Sequence, residues 1–77
     1  MKVTIEITDK TAADLAELVK LCTEIDAERE GATTHGPLTV ERLLVMLAED
    51  AGMVLSRPGS WEGSNMANVL SSHGYQL

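Results

Sequence analysis

One short segment constrains this chain more than any other. Val3, Ile5 and Ile7 alternate with Lys2, Thr4, Glu6 and Thr8. Period-two alternation in β-branched residues is the pattern of a half-buried strand. A strand cannot stand alone: its N–H and C=O groups need partners and its apolar side needs cover. The rest of the sequence offers one rival, Met53 to Ser56, which reads equally well as the end of a helix. The simplest partner is the same strand of a second copy, paired antiparallel about a two-fold axis. A homodimer is therefore expected.

Length points the same way. At 77 residues the chain is one small domain, and a chain of that size buries only about 60% of its unfolded surface. Two long helical patterns follow the strand. From about Thr11 to Glu30, the residues Leu15, Leu18, Val19, Cys22 and Ile25 share one stripe, while Glu17, Lys20, Glu24 and Glu28 lie opposite. Asp26 and Arg29 interrupt the stripe, so the last turn is expected to project or fray. Cys22 reads as a buried, inert thiol. Gly31 to Pro37 reads as a loop.

Thr39 is a suitable N-cap for a second helix from Val40 to about Leu55, with Leu38 and Leu43 at hydrophobic-staple positions. Val40, Leu43, Leu44, Leu47, Ala51, Val54 and Leu55 form one face; Val45, Met46 and Met53 fall outside it. A helix apolar over most of its circumference is expected to be covered on several sides, which a second copy would provide. Arg57-Pro58-Gly59-Ser60 ends this element. Residues 1–57 thus form a strand-helix-helix core. Residues 58–77 form an extension with Glu62 as the single formally charged side chain. Ser64-Asn65 can start a short helix there, and Gly74 can stop it.

The order of strand, helix, glycine-bearing loop and Thr-capped helix resembles the ribbon-helix-helix family over residues 2–56. The carriers are Lys2-Val-Thr-Ile-Glu-Ile7, the helix through Leu15, Leu18, Val19 and Cys22, and Gly36-Pro-Leu-Thr-Val-Glu-Arg-Leu-Leu44. The resemblance implies a mainly α fold with one N-terminal strand, dimeric through that strand, with an extra C-terminal segment. It also implies a DNA-binding transcriptional regulator. The first helix and its loop are longer than the family's compact pair, and its DNA-binding members usually carry basic or amide side chains where this chain has Lys2, Thr4 and Glu6. The tail, Arg57 to Gly63 with His73 to Tyr75, loosely resembles small phage proteins.

The ribbon would read base edges through Lys2, Thr4 and Glu6. Lys10 would flank it, and Thr39, Val40 and Arg42 would hold a phosphate at a helix start. Charge opposes this. Six Lys plus Arg against twelve Asp plus Glu give a net charge of −6, against the basic footprint that nucleic acid requires. The alternative is an accessory protein that binds a host protein without DNA binding or catalysis. Trp61, in a nearly uncharged Gly/Ser setting, suits a binding anchor, although it could instead fold back over a small core. The acids of the first helix could meet a basic partner.

No enzyme, metal or cofactor is expected. Cys22, His35 and His73 are too few and too scattered for a zinc site, and serines near a loop-borne His73 make no triad. No apolar stretch is long enough for a membrane span, and no signal-peptide pattern opens the chain, so a cytoplasmic location is expected.

Overall fold

A computed structural model describes residues 1–28 and 37–76. It contains helices α1, Asp9–Glu28; α2, Val40–Ser56; and α3, Trp61–Ser72. None of the described residues is in a strand. Residues 1–8 are irregular, with Val3, Ile5 and Ile7 at 69%, 59% and 43% exposure. This corrects the ribbon-helix-helix resemblance, the fold class with an N-terminal strand and the strand-ribbon dimer. The physical reason is the lack of a second strand among the described residues. Alternating β-branched residues specify a strand only where a second strand takes up the backbone groups. Residues 53–56, the rival segment, form the last turn of α2. The chain is all-α in its described residues.

Two compact units divide the chain, Met1–Leu43 and Leu44–Leu77, with the boundary inside α2. In the first unit, Thr8 caps α1. Its hydroxyl oxygen accepts from the Thr11 amide at 3.1 Å, and its carbonyl accepts from Ala12 at 2.9 Å. The cap sets the helix start at Asp9, two residues before the expected position. Leu15, Val19, Cys22 and Thr23 are half-buried, while Leu18, Leu21 and Ile25 are exposed. The expected apolar stripe is thus split lengthwise, and Cys22 is not fully enclosed. The helix runs through Glu28, so Asp26 to Glu28 do not leave it; Arg29, Glu30 and the Gly31–Gly36 part of the expected loop lie outside the described residues.

Thr23 is the pin of this unit. Its hydroxyl accepts from the Leu38 amide at 3.0 Å and donates to the Leu38 carbonyl at 3.2 Å. One hydroxyl therefore satisfies both backbone groups of a residue fifteen positions away. The next residue, Thr39, caps α2 as its position predicts: its hydroxyl accepts from Arg42 at 3.1 Å and its carbonyl from Leu43 at 2.9 Å. At the two staple positions, Leu38 is half-buried and Leu43 is 6% exposed. Leu43 is the one buried apolar side chain among the described residues.

The second unit joins the rest of α2 to α3 through a tight turn at residues 57–60. Ser60 is extended (φ −74°, ψ 158°) and caps α3. Its hydroxyl accepts from the Gly63 amide at 3.1 Å and donates to the Arg57 carbonyl at 2.7 Å. The helix therefore starts at Trp61, ahead of the expected Ser64-Asn65. It ends as Gly74 predicts. Tyr75 N–H donates to Leu70 O at 3.1 Å and Gly74 N–H to Ser71 O at 2.9 Å, with Gly74 at φ +90°. That pair of bonds is the Schellman arrangement.

Gly63 is buried where α3 crosses the end of α2. A Cβ placed there would lie 2.7 Å from the carbonyl oxygens of both Met53 and Arg57. The backbones meet because there is no side chain between them. This contact also orients α2. Met46, Asp50, Met53 and Val54 are half-buried, whereas Val45, Leu47 and Leu55 are exposed. The arc of Met46, Asp50, Met53 and Val54 is thus centred about 115°, at about 100° per residue, from the expected Leu47, Ala51 and Leu55, while Val40, Leu43 and Leu44 of the expected face are covered. Met46 and Met53 suit that position because their flexible thioether side chains fill irregular gaps.

Candidate functional site

The docking of α3 decides where its one large aromatic residue goes. Gly63, Met66, Ala67 and Leu70 occupy the covered side of the helix. At about 100° per residue, Trp61 lies about 160° round from Gly63. It is therefore directed away from α2, and it is 74% exposed. The small core does not recruit it. Asn65, Asn68 and Ser72, at steps of four, three and four residues from Trp61, share its side of the helix and are also exposed. The result is an uncharged strip with an indole at one end and two carboxamides and a hydroxyl along it. Two structural details hold the indole's backbone in place: the Ser60 cap, and the Ser60 amide, which donates to Arg57 O at 2.9 Å. Val69 and Tyr75, 45% and 66% exposed, extend the apolar surface of this end of the chain.

The residues proposed for DNA have other surroundings. Lys2, Thr4 and Glu6 are exposed on the irregular segment, with no ribbon to present them. Lys10 lies in the first turn of α1, where its ammonium pairs with Asp14 at 2.7 Å on an open surface. Thr39 is occupied as the α2 cap, and Val40 is half-buried. The Arg42 guanidinium donates to the Pro37 carbonyl at 3.3 Å, closing the turn before its own helix. With no strand among the described residues, nothing presents Lys2, Thr4 and Glu6 to a groove, and the DNA-binding regulator falls with the ribbon-helix-helix fold that implied it.

Further features of the described residues bear on other chemistry. A shallow concavity is lined by Asp14, Glu17, Leu18, Lys20, Leu21 and Glu24. All six belong to α1, so it is the relief of one helix surface and not a cleft between elements. No group of three or more His, Cys, Asp or Glu side chains gathers among the described residues. No described helix is long and apolar enough to cross a membrane.

Comparison with protein-family models, with curated proteins and with solved structures found no match to this chain.

The sequence reading missed Ser60 and Gly63. Both were detectable: Ser60 stands three residues before Gly63, at the spacing of a cap to the amide it serves. Once α3 begins at Trp61, helical spacing alone separates the indole from the Gly63 side.

Proposed function

We propose that the chain is a small helical protein-binding module, with no catalytic step and no cofactor, anchored on Trp61. The observation that carries this is the 74% exposure of the chain's single Trp on a capped, docked helix start. An indole held in water on a fixed backbone is ready to enter an apolar pocket, and Trp is enriched among residues that dominate binding energies. Asn65, Asn68 and Ser72 supply hydrogen-bonding groups beside it. The partner is a protein surface with an apolar recess rimmed by backbone or amide groups. A cytoplasmic setting belongs to the same proposal, since an unpaired, half-buried Cys22 suits a reducing compartment.

The test uses the same residue twice. Tagged chain and its Trp61→Ala variant are used to retrieve partners from the cells that make it, and the retained protein is then purified. Binding should shift Trp61 emission to the blue as the indole leaves water. Trp61→Ala should weaken retention by a factor of about 30 or more, the scale of a hot spot near 2 kcal/mol. The variant's own stability should stay within about 0.5 kcal/mol of the parent, as for surface substitutions. Equal retention of the same partner by both proteins would refute the anchor.

A further inference from the structure

Methionine is concentrated at one place in this chain. Of its four methionines, Met46, Met53 and Met66 lie in the unit Leu44–Leu77, and all three are half-buried. The other covered apolar side chains of that unit are Leu44, Val54, Ala67 and Leu70, and they too are half-buried. Met46 and Met53 lie within about 20° of each other round α2, at about 100° per residue. Met66 stands one turn beyond Gly63 on the covered side of α3. Met53 also supplies one of the two carbonyl oxygens that Gly63 abuts, 2.7 Å from where a Cβ would stand. Thioethers thus make up much of the apolar surface that this unit covers.

We propose that these methionines are a reversible oxidation site, and that their sulfoxides release α3 from α2. A fully buried thioether is shielded from peroxide, and a fully exposed one changes no packing when it reacts. A half-buried one meets both requirements: an oxidant reaches the sulfur, and the packing depends on its staying apolar. In the step, a sulfur lone pair attacks one oxygen of hydrogen peroxide or an alkyl hydroperoxide. The S–O bond forms as the O–O bond breaks, and the proton on the transferred oxygen passes to the departing one. Sulfur is oxidised by two electrons, and the peroxide is reduced to water or an alcohol. The product is a polar, chiral sulfoxide in place of a flexible apolar side chain.

The surroundings make that change disruptive. Asp50, half-buried on the same arc as Met46 and Met53, presents acceptor oxygens. The Met53 and Arg57 carbonyls beside Gly63 are acceptors as well, and the Ser60 hydroxyl already donates to Arg57. A sulfoxide oxygen is a further acceptor, and a buried polar group without a hydrogen bond is costly. It gains its hydrogen bonds by turning to water, which takes the side chain out of the covered arc. Two thiols reverse the step, returning the thioether, a disulfide and water, as the sulfoxide reductases do. Met1, fully exposed, and Cys22 belong to the other unit, so their oxidation leaves α3 docked. The switch does not depend on a partner for Trp61.

Titrating the full chain with hydrogen peroxide tests this, with each added oxygen located by peptide mass mapping. Opening is read by hydrogen exchange at the Gly63 and Ser64 amides, which bond Ser60 while α3 is docked. Met53 and Met66 should take up oxygen in the folded chain, and both amides should then exchange faster by about tenfold or more, as in local opening. Methionine sulfoxide reductases with dithiothreitol should restore the slow exchange. Met46→Leu, Met53→Leu and Met66→Leu combined conserve volume closely and should keep exchange slow under peroxide, although Met1 and Cys22 can still react. Met53→Gln with Met66→Gln should speed exchange without peroxide, which keeps the test decisive if the leucine variant folds poorly. Unchanged exchange in a chain oxidised at Met53 and Met66, full oxidation of Met1 with those two still thioethers, or equal acceleration in the leucine variant would each overturn the proposal.

Discussion

Replacing Gly63 with Ala tests the contact on which the second unit depends. The added Cβ would lie 2.7 Å from the carbonyl oxygens of Met53 and Arg57 together, while an ordinary contact begins at 3.4 Å. The methyl must therefore retreat by about 0.7 Å from two oxygens at once, and both are backbone atoms with no rotamer to yield. Overpacking of this kind costs about 1–3 kcal/mol. The retreat also strains the 3.1 Å bond from the Gly63 amide to Ser60, whose loss as a cap costs about 1 kcal/mol. Against this, Ala gains about 1 kcal/mol over Gly in a helix. The net expectation is a loss of about 1–3 kcal/mol, the sum of those estimates. Gly52→Ala is the matched control. It lies in the same unit, exposed on α2, and its added Cβ meets nothing within 4 Å, so only the gain of up to about 1 kcal/mol applies. Urea unfolding followed by far-UV circular dichroism reads both. Opposite signs support the close approach of α3 to α2. A Gly63→Ala protein as stable as Gly52→Ala would refute it.

Two further substitutions address the other local devices. Thr23→Val keeps the shape but removes the hydroxyl that serves both backbone groups of Leu38; it should cost about 1–3 kcal/mol in urea unfolding, with Thr23→Ser close to the parent. Gly74→Ala places a Cβ at φ +90° and should cost about 1–2 kcal/mol, seen as faster hydrogen exchange at the Gly74 and Tyr75 amides.

The parts legible in the sequence were those decided by neighbours along the chain. Thr39 as the cap of α2, Leu38 and Leu43 around it, and Gly74 as the stop of α3 all follow from spacings of a few residues. Val3 to Ile7 misled for a related reason. The alternation was real, but it describes a side-chain pattern, and a strand also needs a partner that the described residues do not supply. The covered side of α2 was legible in part: Val40, Leu43, Leu44 and Val54 are covered as expected, but apolar residues nearly surround the helix, so composition could not choose between Leu47 and Met53. Gly63 made that choice through a backbone contact. The grip of Thr23 on Leu38 spans fifteen residues and leaves no signal in either local pattern. For the candidate site, Trp61 was identified from its setting, but its direction required the docking of α3.

That Leu43 is the one buried apolar side chain among the described residues has a thermodynamic consequence. The heat capacity of unfolding rises with the apolar surface that unfolding newly exposes, and so does the steepness of the denaturant response. Where Val3, Ile5, Leu55 and Trp61 are already more than half in water in the folded state, unfolding has little left to wet. The stability curve of the single chain should be shallow in temperature, its thermal transition broad and its cold limb remote. Any ligand that covers those side chains only in the folded state would add to the hidden surface, and the transition would then sharpen and move upward with ligand concentration. Calorimetry of this protein is therefore also a measure of how much of its core it finds outside itself.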